Sequence, residues 1–294
     1  MIKVAIYGRF NENFPREYVS IVLRQLSSYK AAIYVEKSCL VHVNEVSTEN
    51  YKSFDSYKDL DDSFDCLISI GGDGTILRSI SYVRNSGVPI VGVNTGRMGF
   101  LATIQKDKIT SSIDDIVHKN YQISERSLLK LSSDSLIDGL DENFNFALNE
   151  IAVSRKNTTS MIKVETYLND DYLTSYWADG LIVATPTGST GYSLSCGGPV
   201  VAPDSDSFVL TPIAPHNLNA RPLVIPENTK IKLIVGGREQ LHLASLDSRI
   251  ITVENGTELM IQKADFSIKM IEPKGESFLH TLRNKLLWGE DKRN

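Results

Sequence analysis

Apolar residues in the first part of the chain fall into short continuous runs separated by stretches of helical period. Ile2 to Tyr7 has the length of a buried strand, and Gly8 turns the chain after it. Pro15 opens a helix in which Val19, Val22, Leu23 and Leu26 recur at i, i+3, i+4 and i+7. Ala32 to Val35 and Leu40 to Val43 read as strand material, and the polar, aspartate-rich stretch 47–63 reads as a loop. The run Asp65 to Ser69 is again strand-like, Thr75 to Arg84 starts a helix ending near Gly87, and Ile90 to Val93 is another strand. Strand, helix and strand within about 30 residues make a βαβ unit, so a parallel sheet is expected. Ile109 to Val117 follows as a short helix with Ile113, Ile116 and Val117 facing inward.

After about Glu125 the texture changes. Leu128–Leu131, Phe144–Val153, Met161–Leu168 and Leu173–Trp177 are short, often alternating runs, with the hairpin signal Asn169-Asp170-Asp171 between the last two. Similar runs continue to Phe266–Ile271, which implies a β-sandwich or a related antiparallel domain. The tail returns to helical period, with Phe278, Leu279, Leu282, Leu286 and Leu287 on one face that needs a partner. The expected architecture is an α/β domain with a Rossmann-like parallel sheet over residues 1–125, then an all-β, sandwich-like domain over 126–275. A C-terminal helix in 276–294 packs back on the first domain, and the charged residues 290–294 fray.

Composition narrows the class. The 294 residues are 41% hydrophobic and 23% charged with net charge −5, which gives no basis for nucleic-acid or anionic-membrane binding. No apolar run approaches the roughly 20 residues of a membrane span, and the N-terminus does not read as a signal peptide. Cys39, Cys66 and Cys196 are widely separated and the five histidines lack metal spacing, so a structural zinc site is not expected. Sparse cysteine fits a cytoplasmic protein.

Four stretches carry chemistry. In Gly71-Gly72-Asp73-Gly74-Thr75 a strand ends in a glycine turn and a helix begins, which directs free N–H groups at an anion. Arg78 follows closely, where it can reach phosphate. Asp73 repels phosphate, so its presence needs a separate reason. It holds Mg²⁺, takes a proton from an attacking hydroxyl, or merely caps the helix. A second glycine loop runs from Asn94 to Leu101, with Arg97 facing either phosphate or solvent. Asn149-Glu150 interrupts the apolar strand Phe144–Val153; the pair either holds a ribose diol or lies on a sheet edge. The segment Asp179 to Pro199 runs from a strand into a loop dense in Thr, Ser and Gly, suited to hydrogen bonding sugars, amides or phosphates, with Tyr192 placed to cover a ring. In the stiff segment Pro212 to Pro222, His216 and Arg221 either touch a ligand or hold loop against sheet.

GGDGT at 71–75, NTGRMGFL at 94–101, Asn149-Glu150, the run DGLIVATPTGSTGYSLSCGGP at 179–199 and the segment 212–222 stand in the order and spacing of the NAD kinases. The chain resembles that family from about Asp65 to His280. GGDGT alone is shared with lipid kinases and phosphofructokinases; the 179–199 run narrows the resemblance. It implies transfer of the terminal phosphoryl group of ATP or polyphosphate to the 2′-hydroxyl of the adenosine ribose of NAD. The alternatives are a lipid kinase with the same loop and a non-catalytic NAD sensor.

The resemblance further implies an active site between two domains, Mg²⁺ or another divalent cation accompanying ATP, no prosthetic group, and a homodimer or homotetramer. It makes Asp73 the base, beside the phosphate loop Gly71, Gly72, Gly74 and Thr75. Asn149 and Glu150 resemble the pair that holds NAD through its ribose, and Thr190, Gly191, Tyr192, Ser193, Leu194 and Ser195 the loop that wraps the dinucleotide. Asp179 and Ala214 fall where a neighbouring subunit completes the site. Departures from many relatives are Gly191, where they carry Ala, and Trp177 and Arg249 toward the nicotinamide end.

Overall fold

The structure is a computed structural model that describes residues 1–9, 15–47, 50–96, 99–156, 159–275 and 277–287. It divides into two compact units, Met1–Glu125 with Ile268–Asn294, and Arg126–Ser267.

The first unit contains strands β1 (Lys3–Gly8), β2 (Ala32–Glu36), β3 (Lys52–Phe54), β4 (Cys66–Gly71), β5 (Ile90–Asn94) and β6 (Tyr121–Arg126). Its helices are α1 (Arg16–Ser28), α2 (Lys37–Val43), α3 (Asp73–Val83) and α4 (Ile109–Val117). β1 and β4 are almost wholly buried, as strands of a parallel sheet covered on both faces must be. Helix α1 buries Val19, Val22, Leu23 and Leu26, the stripe read from its period. Two differences trace to single residues. Leu40–Val43 is helical, because the Glu36 carboxylate accepts the Ser38 and Cys39 amides and so caps α2. Within the polar stretch 47–63, Lys52–Phe54 adds an edge strand whose Phe54 is buried.

The second unit is all-β. Its strands are β7 (Leu129–Ser132), β8 (Phe146–Ala147), β9 (Glu150–Arg155), β10 (Ile162–Leu168), β11 (Asp171–Ala178) and β12 (Gly180–Ala184). After the short helix α5 (Tyr192–Ser195) come β13 (Ser207–Ile213), β14 (Leu223–Pro226), β15 (Ile231–Gly236), β16 (Leu241–Leu246), β17 (Arg249–Glu254) and β18 (Thr257–Lys263). They form two six-stranded sheets, ordered β11-β10-β15-β18-β7-β8 and β14-β13-β12-β9-β16-β17. Leu131, Val164, Leu233 and Ile261 of one sheet and Val153, Leu181, Leu210 and Val253 of the other share one core. On the opposite face of the second sheet, Ala152, Ile182, Ala184 and Val209 are packed by Cys196 and Val201. This double cover is why β12 is buried along its whole length. The expected hairpin turn is present, with positive φ at Asn169 and Asp170, the conformation that matches strand twist.

The chain then returns to the first unit through β19 (Ile268–Pro273) and α6 (Phe278–Leu286). β19 pairs parallel with β5, completing the order β3-β2-β1-β4-β5-β19-β6. The run Phe266–Ile271, expected among the β-rich strands, therefore ends in the parallel sheet. Local pattern cannot separate these cases, since a short apolar run fits either sheet. Helix α6 buries Leu282 and Thr281, whereas Leu279 and Leu287 are exposed, so its apolar face is narrower than the spacing suggests.

Candidate active site

The phosphate loop is built by the end of β4 and the start of α3. A Cβ on Gly71 would stand 2.2 Å from Thr75 Oγ1, so only glycine lets the helix turn back this tightly. Gly72 and Gly74 are different: a Cβ on either meets nothing within 4 Å, leaving open space over the first amides of α3. Asp73 is the first residue of α3 and makes no capping bond; Gly72 is the N-cap. Its carboxylate instead accepts the Phe100 amide at 2.8 Å on Oδ2, and the Leu101 and Ala102 amides at 3.1 and 3.0 Å on Oδ1. The simple capping role is thereby replaced by a bond between the two glycine loops.

The approach is so close that a Cβ on Gly99 would fall 1.8 Å from Asp73 Oδ1. Asn94 supports the second loop by donating to Ala102 O at 3.1 Å and accepting the Gly96 amide at 2.8 Å. From α6, Lys285 Nζ lies 4.0 Å from Asp73 Oδ2 and 4.4 Å from the Phe100 ring centroid. Arg78 is exposed on α3. Its charge opposes the burial that raises the Tyr7 hydroxyl pKa. Arg97 lies outside the described residues, as do residues 288–294.

The other cluster lies in the β-rich unit. The run Phe144–Val153 is not one strand. Phe144 ends a 3-10 turn, β8 ends at Ala147 in one sheet, and β9 begins at Glu150 in the other. Asn149 and the start of Glu150 therefore occupy a crossing between sheets, neither a regular strand nor a sheet edge. Asn149 Oδ1 and Glu150 Oε2 are buried and have no hydrogen-bond partner among the described residues. Native chains rarely leave such atoms unpaired. Burial first, and the neighbouring Asp247 charge second, push the Glu150 carboxyl up to about 7, opposed by the Tyr192 backbone N–H.

The Thr/Ser/Gly loop is fastened to this crossing. Thr185 N donates to Asn149 O at 2.9 Å, Thr185 Oγ1 to Leu148 O at 2.5 Å, and the Gly188 amide to Thr185 Oγ1 at 3.1 Å. A Cβ on Gly188 would stand 2.0 Å from Asn149 O, and one on Gly191 would stand 3.2 Å from Glu150 Oε2. Ser193 is buried and bonds Thr211 Oγ1 at 2.8 Å, so it holds the loop rather than facing outward. Thr190 Oγ1 bonds Thr187 O, Leu194 is half-buried, and Tyr192 and Ser195 are exposed.

Asp179 and Ala214 are at the opposite end of β12 from Glu150: Gly180 pairs with Ile213, and Ala184 with Glu150. Asp179 is five residue steps from Ala184, which makes that separation about 17 Å. Asp179 forms an ion pair with Arg155 at 3.1 Å, and Ala214 is exposed with φ +44°. Arg221 bonds the Leu218 and Ala220 carbonyls and steadies its own loop, and the His216 amide bonds Trp177 O. Arg249 turns inward onto the Phe144 and Phe146 carbonyls, and Trp177 is exposed on the edge strand β11. Local sequence pattern does not single out Asp247, Gly99 or Lys285 as site residues; each acts through a contact made far along the chain.

Residues 4–121 match the ATP-NAD kinase N-terminal domain and residues 148–273 the ATP-NAD kinase C-terminal domain. Over the full length of both chains, the sequence is 56% identical to an NAD kinase of Christiangramia forsetii and 55% identical to one of Flavobacterium johnsoniae. The chain belongs to the NAD kinase family. It is thus an enzyme, a kinase of NAD, and the lipid-kinase alternative falls away. Among solved structures, an NAD kinase from Archaeoglobus fulgidus in complex with ATP superposes with TM-score 0.75 at 26% identity, covering 97% of each chain. A yeast NADH kinase complexed with NADH shares the fold, with TM-score 0.86 at 22% identity, covering 99% of this chain and 89% of the other. Among the described residues of this NAD kinase, no helix is long and apolar enough to cross a membrane.

Proposed function

We propose that this NAD kinase transfers the terminal phosphoryl group of ATP to the 2′-hydroxyl of the adenosine ribose of NAD, with Asp73 as general base. The observation that carries the acceptor half is the buried, unpartnered Asn149 Oδ1 and Glu150 Oε2 beside a hydroxyl-rich loop. A ribose diol donates to both atoms, and Tyr192 is exposed beside them to cover a ring.

Asp73 suits a base because its amide bonds leave it one place to accept. A carboxylate has about four acceptor positions. Two amides engage Oδ1 and one engages Oδ2, so Oδ2 keeps a lone pair for the 2′-hydroxyl proton. The same three bonds fix its orientation, so little reorganisation accompanies proton transfer. The open amides at Gly72 and Gly74 receive donor phosphates, with Arg78 and Lys285 as nearby cations.

Among the described residues no group of three His, Cys, Asp or Glu side chains is arranged to hold a metal. Mg²⁺ enters as part of the ATP substrate, where it would neutralise phosphate charge. Asp179 and Ala214, remote from Glu150 along β12, are assigned to the site of a second copy. The enzyme is placed in the cytoplasm, where Cys39, Cys66 and Cys196 stay free thiols.

The deciding assay supplies NAD, ATP and Mg²⁺ to purified protein and looks for NADP. Tight NAD binding with no product from ATP or polyphosphate would mean a sensor instead.

A further inference from the structure

Asp247 sits on the turn between β16 and β17 with φ +52°. Its carboxylate accepts three consecutive amides: Leu148 at 2.9 Å on Oδ2, and Asn149 at 2.8 Å and Glu150 at 3.2 Å on Oδ1. Its own amide donates to Glu150 O at 3.0 Å. These are the residues at which the chain leaves one sheet for the other. A crossing of this kind has no ladder to satisfy its amides, and Asp247 supplies the missing acceptors. Arg249, two residues on, binds the Phe144 and Phe146 carbonyls on the other side of the crossing. One turn thus holds both the amides and the carbonyls of the segment that presents Asn149 and Glu150.

We infer that Asp247 is a positioning residue of the NAD site: it sets the backbone of Leu148 to Glu150, and its negative charge acts on the Glu150 carboxyl. The inference rests on the reading of Asn149 and Glu150 as the ribose-binding pair. Both Asp247 oxygens face N–H donors, an arrangement that suits the ionised form. Burial leaves the Asp247 carboxyl above its ordinary value, against the lowering by the three amides and the Arg249 charge. The charged and titratable groups around the pair are Asp247 and Tyr192 beside Glu150, Arg249 beside Asp247, and Asp141 beside Arg249. Asp247 is the one carboxylate among them that acts on Glu150, so the proton on Glu150 reports on it.

A purely architectural Asp247 and a positioning Asp247 differ in what they do to that proton. The test is a ¹³C-glutamate NMR titration of the ligand-free enzyme, with the Glu150 signal assigned by its loss in Glu150→Gln. In the wild type the signal is expected to titrate near 7. In Asp247→Asn the midpoint should fall by about one unit, as removal of a close like charge requires. Asparagine adopts the left-handed backbone readily, so the turn is kept; Asp247→Ser is the second uncharged variant.

Calorimetry with NAD at pH 8.5, where Glu150 is ionised in both proteins, should show about tenfold weaker binding in Asp247→Asn, with ATP binding unchanged. A midpoint that does not move in either folded variant, whatever happens to thermal stability, overturns the inference. So does a wild-type midpoint at the ordinary 4.5, which needs no variant to fold. NAD that fails to bind the wild type would sink the ribose reading and leave the titration result standing.

Discussion

Both oxygens of Asp73 are engaged by backbone amides, which separates its charge from its shape. Asp73→Asn retains the shape and one acceptor oxygen but loses the base. Its kcat should fall by about 10²- to 10⁴-fold with KM for NAD nearly unchanged. A matching rise in KM would show that Asp73 binds rather than deprotonates. Glu150 behaves differently because its carboxyl is pushed up to about 7. The folded state holds that proton more tightly than the unfolded chain, so its contribution to stability is greatest at acid pH and is lost as pH rises toward 7. Glu150→Gln should therefore raise the melting temperature at pH 8 and leave it nearly unchanged at pH 4. NAD binding runs the other way, since the ionised carboxylate accepts the ribose hydroxyls. Affinity should rise as pH passes through 7 in the wild type and stay flat in Glu150→Gln, as calorimetry across pH 5.5–8.5 would show.

At the scale of elements, each cluster is a loop tied to a loop by contacts only glycine permits. Gly99→Ala drives a Cβ into Asp73 Oδ1, 1.8 Å away, and must part the two phosphate-side loops. Turnover should fall at least tenfold with fold and NAD affinity retained, because the damage is confined to one unit; full activity would mean that this contact is dispensable. Helix α6 contributes Lys285, held over Phe100 and beside Asp73 Oδ2. Lys285→Met should raise KM for ATP and lower kcat, and Lys285→Arg should restore part of both.

These element-scale facts mark the limit of local pattern. The period of α1 and the hairpin at Asn169-Asp170 were legible because they depend on adjacent residues. The helix at Leu40–Val43 was not, since a four-residue apolar run has no resolvable period and the deciding cap is one Glu36 side chain. Asn149-Glu150 was legible as an anomaly, a polar pair inside an apolar run. That the run crosses between sheets at that point was not, because strand partners are chosen by distant segments.

For the whole molecule, Asp179 and Ala214 lie about 17 Å along β12 from Glu150, five residue steps at about 3.3 Å each. If they complete the site of a second copy, Asp73→Asn and Asp179→Ala are defective in different subunits. Co-expressed one to one, the two inactive variants should regain activity in hybrid dimers, with about a quarter of all sites intact. Two variants that remain inactive together would place Asp179 in the same chain's site.

The sequence alone determined the parallel βαβ start, the all-β second half, the glycine–aspartate loop and the hydroxyl-rich run, because period, turn chemistry and residue spacing are properties of neighbours along the chain. Only the tertiary structure decided that β19 rejoins the first sheet, that Asp73 is gripped by the amides of Phe100 to Ala102, and that Asp247 underlies Asn149-Glu150. The physical reason is common to all three. Each depends on where a backbone amide finds its acceptor, and the acceptor stands 27 to 99 residues away for the two carboxylates.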